Sequence, residues 1–508
     1  MVQTLTWFRR VAARRTVVAL ALVAGAAVSL AGQDRMTAAE ARRQLARADD
    51  QYADANYRPA YEAYERASGV ADPELSTLAL QGRIRTALRL SEFTIAHRLA
   101  SDLRADRRDH VDAVTLFAES LWGAGLFDEA EQAFTAALAQ FPESPRARFG
   151  VARSLVSHGR LDEALAEAIA ARDAAQDDVD VLALLGHIYE RMHRVDDAVA
   201  AYEACLARLP RRLRDDSGNI QLKLRALRSL DGDMPLALDG DPATQHVVPF
   251  RLENRKIIVE GTVNGQQVEL LVDTGSDRTS VSRRTADRAR LRTVSEGYVT
   301  GVGLPGVLRL DIARVDVLQL GSLTLRNFDV SVRPENRRVS PFWAGEILSP
   351  MSLGLSVVVD YQRQELTLSR QLPDGPADVR MPMRVYRLPM VRGLLNTEHP
   401  AYFVVDTGGE LMSISTDVFG QLAMTPARRI PLRVFGSQGL DPDAFLLPGV
   451  NLDISDIAYR EHGVAVLNLH APSVLLGFRL GGILGHSFLS PYRVTMDFAR
   501  AELRLQRF

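Results

Sequence analysis

At 508 residues the chain is too long for one ordinary domain and long enough for roughly two to four. Apolar residues make up 46% and charged residues 24%, with both signs present, which excludes a disordered, collagen-like or many-times membrane-spanning protein. A formal net charge of -2 gives no basic footprint for nucleic acid, and a single cysteine, Cys205, excludes an intramolecular disulfide.

Residues 1–31 stand apart. MVQTLTWFRRVAARR carries Arg9, Arg10, Arg14 and Arg15 and no acid, and the uncharged, mostly apolar run TVVALALVAGAAVSLA follows it. That order is the layout of a secretory signal peptide, with Ser29 and Ala31 as the small residues before a cut. The rival reading is an uncleaved N-terminal anchor, although the run is at the short limit for a bilayer. Gly32 stands where a lipid-modified signal needs cysteine. Both readings predict an exported protein, periplasmic or extracellular, that touches a membrane only if this segment is retained.

Residues 37–230 read as helical. They are rich in Ala, Leu, Glu and Arg, and GLFDEAEQAF, GRLDEALAEA and HRVDDAVAAY start at residues 125, 159 and 193, 34 apart each time. Ala130, Ala164 and Ala198 fall in register, and Leu185, Gly186 and Tyr189 precede Ala198, Tyr202 and Cys205 in the third copy. This period and pattern resemble the tetratricopeptide repeat, with a degenerate further unit expected around residues 82–103. Small residues let two helices approach closely, and one repeat cannot bury its own face, so several stack. The resemblance implies a surface that holds a peptide or protein partner; a spacer without a partner is the alternative. Cys205 reads as core packing, and His187 and His193, with no matching carboxylates, as surface or boundary residues rather than metal ligands.

Residues 211–246 form a transition rich in Asp, Gly and Pro, after which the apolar period changes from 3.6 to 2. KIIVEGTVNGQQVELLVDTG predicts two strands around Asn264-Gly265, a strong hairpin signal. Strands are also expected in VLRLDIARVDVLQLG, LTLRNFDVSV, LSVVVDYQRQELTLSR, GVNLDISDIAY and YRVTMDFARAELRLQRF, with only short helical turns near 285–290 and 416–422.

One constellation occurs twice. VELLVDTGSDRTSVS is followed by VTGVGLPG and by EILSPMSLGLSVVVDYQRQELTL; AYFVVDTGGELMSIS is followed by VFGSQG and by GILGHSFLSPYRVTMDFARAELRL. Asp273 and Asp406 open the two DTG triplets, and 87 residues separate Asp273 from Asp360 where 91 separate Asp406 from Asp497. Over residues 247–508 the chain resembles the retropepsin-like aspartyl proteases of bacteria, in a tandem form with lobes at 247–372 and 380–508. The fold expected is therefore a tetratricopeptide-like α-helical solenoid followed by an all-β, two-lobed acid-protease fold.

The chemistry explains the doubling. Two carboxyls within hydrogen-bond distance share one proton, because both cannot ionise that close together. The ionised one takes a proton from a water that attacks the peptide carbonyl, and the protonated one stabilises the oxyanion. The matched motifs make Asp273 and Asp406 the catalytic pair. They make Thr274 and Thr407 a cross-brace between loops, with Gly275, Ser276 and Gly408 in support. The glycine after each threonine is expected to permit a tight turn that aims its amide at the carboxylate. The resemblance also implies a hairpin flap at 295–310, with a counterpart at 433–442. Asp360 and Asp497 read as structural acids at strand ends.

Three departures from the family pattern stand out. Gly409 replaces the usual hydroxyl residue after DTG; Ser276 can donate to the outer oxygen of Asp273 but Gly409 cannot do so for Asp406, so Asp406 is expected to be the less supported member. Ser349-Pro350 replaces the glycine of the closing segment, which is expected to alter packing behind Asp273. No tyrosine stands at the flap tip, Tyr298 lying near its base. No cofactor or metal is expected: HExxH, cysteine pairs, a G-x-S-x-G elbow and a Walker-type loop are all missing from the sequence. The readings are an exported aspartic endopeptidase, with peptide or unfolded protein as substrate and a monomeric catalytic unit, or a catalytically inactive peptidase-like peptide-binding or scaffold protein.

Overall fold

The computed structural model describes residues 36–215, 218–303, 308–334, 345–422, 429–436 and 439–508. The signal or anchor expected at 1–31 lies outside the described residues, as do 304–307 of the expected first flap, 437–438 of its counterpart and 216–217 of the transition. Among the described residues no helix is long and apolar enough to cross a membrane.

Helices run α1 Ala38–Ala53, α2 Tyr57–Ala67, α3 Pro73–Arg89, α4 Phe93–Asp106, α5 Val111–Gly123, α6 Phe127–Gln140, α7 Pro145–Ser157, α8 Leu161–Ala174, α9 Val179–Arg191 and α10 Val195–Arg208, with α11 Gly218–Arg228 inside the segment expected as a transition. Local chemistry repeats with the sequence period. His110, Ser144 and Asp178, 34 residues apart, each cap the helix that follows by accepting one or two backbone N–H bonds. Ser91, Gly125, Gly159 and His193, again 34 apart, are the left-handed residues that end the first helix of a pair, with φ of 60°, 75°, 73° and 57°. The degenerate unit is thus a real hairpin, α3 with α4, and His193 occupies a turn position that usually selects glycine. Within the third copy a Cβ on Gly186 would lie 2.5 Å from the Tyr202 ring, so only glycine lets α9 and α10 approach. Cys205 is buried, and burial pushes its thiol up to about 12, out of reach of nucleophilic use.

The chain divides into two compact units. One holds the described residues up to Ala124 with Asp128–Pro142 and Leu209–Ser217; the other holds Gly125–Phe127, Glu143–Arg208 and Gly218–Phe508. The later repeats, α7–α10, therefore belong with the strands that follow them. Phe127 packs edge-on against Tyr402 and Phe478, with ring centroids 4.8 and 5.0 Å away, and Arg191 donates to the Val385 carbonyl at 3.3 Å.

In the first lobe the strands are β1 His246–Glu253, β2 Lys256–Val263, β3 Gln266–Val272, β4 Ser280–Ser282, β5 Arg292–Val299, β6 Leu308–Leu320, β7 Leu323–Arg333, β8 Glu346–Leu348, β9 Ser356–Asp360 and β10 Glu365–Ser369. The second lobe adds β11 Val379–Pro382, β12 Pro389–Leu395, β13 His399–Val405, β14 Met412–Ser415, β15 Val434–Gly436, β16 Gly439–Asp441, β17 Phe445–Ile454, β18 Ile457–Leu467, β19 Gly482–Leu484, β20 Tyr492–Asp497 and β21 Glu502–Arg507. Asn264 and Gly265 turn the β2–β3 hairpin with φ of 45° and 79°, the two positive values such a turn needs. A helix over His470–Leu476, closed by Gly477 at φ 81°, was not expected from the sequence.

The lobes repeat one plan. In the first, β3 pairs parallel with β8, and β8 pairs antiparallel with β4. In the second, β13 pairs parallel with β19, and β19 pairs antiparallel with β14. The strands that lead to each DTG are buried on both faces near their ends, with Leu270, Val272, Phe403 and Val405 at 0% exposure on one face and Leu271 and Val404 at 3% on the other, so they serve as rigid stems. The lobes are joined by one continuous sheet ordered β11-β21-β20-β9-β10-β1. At its centre the two closing strands meet antiparallel, Val357 opposite Met496 and Asp360 opposite Arg493. Asp360 and Asp497 cap the turns beyond these strands by accepting the amides of Arg363 and Arg500 at 2.9 and 3.0 Å.

Candidate active site

Each DTG loop leaves its stem held by the parallel neighbour: the Asp273 amide donates to the Leu348 carbonyl (2.9 Å) and the Asp406 amide to the Leu484 carbonyl (3.0 Å). This brings the two loops face to face. The Thr274 hydroxyl donates to the Val405 carbonyl at 2.6 Å, and the Thr407 hydroxyl to the Val272 carbonyl at 2.7 Å. Each hydroxyl also accepts the amide of the opposite threonine, at 3.0 and 3.2 Å. All four bonds cross between lobes and both side chains are buried, at 0% and 1% exposure, so neither loop is satisfied without the other.

Asp273 and Asp406 meet in side-chain hydrogen-bond contact. Burial, and then the neighbouring Asp406 charge, push the Asp273 carboxyl well above the ordinary carboxylate range; the Lys256 ammonium and the Gly275 amide oppose this. The glycine amides reach the carboxyls as expected, but the need for glycine has another source. Neither Gly275 nor Gly408 has a positive φ. A Cβ on Gly275 would lie 2.4 Å from Asp406 Cγ, and a Cβ on Gly408 would lie 2.5 Å from Asp273 Cγ. Each glycine makes room for the carboxyl of the other lobe. Gly408 also donates its amide to Asp406 Oδ1 at 2.7 Å.

The support for Asp273 expected from the Ser276 hydroxyl is not made, so the two acids do not differ in the way expected. The Ser276 hydroxyl donates to the Arg278 carbonyl (2.9 Å), a local bond that outcompetes Asp273. Asp273 Oδ1 is buried and takes no bond from an amide or hydroxyl of the described residues. The Ser349 departure also has a definite role. Its hydroxyl donates to the Ser276 carbonyl, while its amide donates to Thr279 Oγ1 at 3.1 Å. In the second lobe a Cβ on Gly485, the counterpart of Ser349, would lie 2.8 Å from the carbonyl carbon of Gly409. Ser276 with Ser349, and Gly409 with Gly485, are thus matched pairs.

Two further cross-lobe contacts flank the pair. Lys256, at the start of β2, donates to the Gly408 carbonyl and lies 3.7 Å from Glu410. Arg387 pairs with Asp277 at 2.5 Å and donates to the Leu475 carbonyl at 3.0 Å. Burial works to raise the Asp277 carboxyl, but the Arg387 and Arg278 charges hold it below its usual value. The sequence signal was present and missed: each Asp has an acid four residues after it, Asp277 and Glu410, and a basic residue at the start of the preceding segment. Tyr361, beside Asp360, was also missed; burial and then the Asp406 charge push its phenol upward, and its ring stands edge-on to His486 at 5.3 Å.

Two hairpins carry the described parts of the expected flaps, β5–β6, whose β6 continues into the sheet beside β7, and β15–β16. They approach closely, since a Cβ on Gly436 would lie 2.2 Å from the Val302 carbonyl oxygen. Tyr298 is half exposed on β5. No group of three or more His, Cys, Asp or Glu side chains able to hold a metal occurs among the described residues.

Residues 259–357, from β2 through Asp273 to β9, match the family model described as aspartyl protease, and residues 121–188 match the tetratricopeptide repeat model. No curated protein matches the chain. Similar solved structures include a thermophilic TPR protein of Thermus thermophilus, at 20% identity and TM-score 0.32, covering 37% of this chain and 100% of that one. Another is the type III secretion translocator chaperone SycD of Yersinia enterocolitica, at 11% identity and TM-score 0.22, covering 24% of this chain and 94% of that one. The chain carries an aspartyl protease domain preceded by tetratricopeptide repeats.

Proposed function

We propose that this protein is an exported aspartic-type endopeptidase whose helical repeats bind a substrate or partner protein. The observation that carries the reading is the contact between the partly buried Asp273 and Asp406, clamped by threonine hydroxyls that donate across the lobes. Burial and mutual repulsion favour one shared proton, and Asp273 is the member whose carboxyl is raised. In the proposed reaction Asp406 takes a proton from the attacking water as its oxygen bonds to the peptide carbon. The Asp273 proton passes to the carbonyl oxygen, giving a neutral gem-diol. Collapse then breaks the C–N bond, with a proton delivered to the leaving nitrogen and a carboxylic acid left on the other product.

Hydrolysis of a dye-labelled unfolded protein across pH tests the reading, using wild type, Asp273→Asn and Asp406→Asn. Activity in the wild type alone is expected. Equal behaviour of all three would overturn the assignment and leave the peptide-binding scaffold. Export is tested separately, by N-terminal sequencing of the protein recovered outside the cytoplasm; finding all of it inside the cell would refute it.

A further inference from the structure

We propose that helix α11 is a brace that positions the first-lobe hairpin β5–β6, whose Val302 lies against Gly436 of the second-lobe hairpin, with Arg314 and Leu222 as its positioning residues. This makes the later repeats part of the catalytic unit rather than a detachable recruiting arm. The proposal rests on the peptidase reading for its effect on substrate, and on geometry alone for the brace itself.

Helix α11 has two working faces. Leu224, Leu227 and Leu230 share one buried cluster with Leu185 and Ile188 of α9 and Tyr202 of α10. Lys223 on the same side pairs with Glu190 of α9, whose carboxylate also accepts the Tyr202 hydroxyl at 2.9 Å. On the other face Leu222 is buried with Leu310 and Ile312 of β6, against Val294 and Val299 of β5. The approach to β5 is close: a Cβ on Gly297 would lie 2.7 Å from Leu222 Cδ1.

Arg314 pins the contact. It sits on β6 at 5% exposure and donates to the Ala226 carbonyl and the Ser229 hydroxyl, both at 2.8 Å, while pairing with Asp329 of β7 at 2.7 Å. Arg292 of β5 adds a bond to the Ser229 carbonyl at 3.0 Å. These acceptors lie at the C-terminal end of α11, where helix carbonyls lack partners within the helix and favour cations. β6 is held in the sheet by β7, which faces it from Asp311 to Leu320, but β5 is the edge strand and pairs with β6 alone, so what β5 packs against sets its position and its cost of movement. Here that surface is a helix whose back is buried in the repeats.

The full chain is compared as wild type, Arg314→Gln, Arg314→Lys and Leu222→Ala, by amide hydrogen exchange and by steady-state hydrolysis of a dye-labelled unfolded protein. For Arg314→Gln and Leu222→Ala, exchange in residues 292–299 is expected to speed up about tenfold or more while residues 266–272 stay protected. KM is expected to rise about three- to tenfold with kcat within about twofold, and Arg314→Lys to recover part of both effects. Unchanged exchange at 292–299 would overturn the brace. Equal loss of protection in both segments would reduce the contact to general stability and also overturn it. If the wild type fails to hydrolyse the protein, the exchange result still decides the brace and the peptidase reading alone fails.

Discussion

The Ser349 hydroxyl donates to the Ser276 carbonyl at 2.6 Å, in the place where the His486 amide donates to the Gly409 carbonyl at 2.9 Å in the other lobe. Pro350 stands at the counterpart of His486 and has no N–H to give, so the serine hydroxyl supplies the missing donor. Ser349→Ala should therefore leave a buried carbonyl unsatisfied and destabilise the protein by about 1–3 kcal/mol. Urea unfolding would measure this, and a loss below about 0.5 kcal/mol would show that the bond is dispensable.

Gly408→Ala places a methyl against the Asp273 carboxyl, where the Cβ would lie 2.5 Å from Cγ. The loop can relieve this only by separating the two carboxyls. We expect kcat to fall about a hundredfold or more, since small displacements of reacting groups are costly, while the fold persists. An alanine variant with wild-type kcat would contradict the crossed arrangement of the loops.

Lys256 acts on the dyad through charge. Its ammonium favours the ionised form of Asp273 and so lowers that carboxyl's raised pKa. Lys256→Met removes the positive charge, so the shared proton is held to higher pH and the basic limb of the kcat/KM profile moves upward. Lys256→Arg should leave the limb near its wild-type position. A downward shift in Lys256→Met would reverse the sign and reject this role.

Acid should loosen the junction between the repeats and the second lobe. Burial, with the Lys223 charge second, holds His187 at about 3 instead of 6.5. Burial works to raise the Glu190 carboxyl, but the Lys223 and His187 charges bring it down from 4.5 to about 2. Both folded values are depressed, so the unfolded chain binds these protons first as pH falls. Stability should decline below about pH 6.5 through His187 and more steeply below about 4.5 through Glu190. Thermal midpoints measured from pH 7 to 4 check this, and His187→Asn should flatten the upper part of the slope.

What could be read from the sequence was set by how local the cause was. The change of period near residue 246 separates repeats from strands, and Asn264-Gly265 fixes its hairpin, because both depend on neighbours in the chain. The two DTG triplets were legible because the same short run recurs after an apolar strand in each half. The His470–Leu476 helix was not, since seven residues give too few turns for a periodic signal. The Ser276 hydroxyl was misread because its actual acceptor, the Arg278 carbonyl, is a backbone atom that no side-chain motif reveals. The amide bonds of Gly275 and Gly408 were legible, but the steric need for glycine was not, because the carboxyl it makes room for lies in the opposite lobe. Nothing local foretells that α7–α10 pack with the strands, which depends on distant pairs such as Arg191 with Val385.

The sheet that joins the lobes has a consequence for timing. Its central pair sets Val357 opposite Met496, 139 residues later, and its strand β21 runs to Arg507. Contacts so far apart in sequence form slowly, after the local hairpins and helices. A growing chain that has passed Asp273 holds a single carboxyl, and Thr274 then has no opposite loop to bind. The paired carboxyls are therefore absent from a partly synthesised chain, and come together only when the second lobe has emerged and closed on the first.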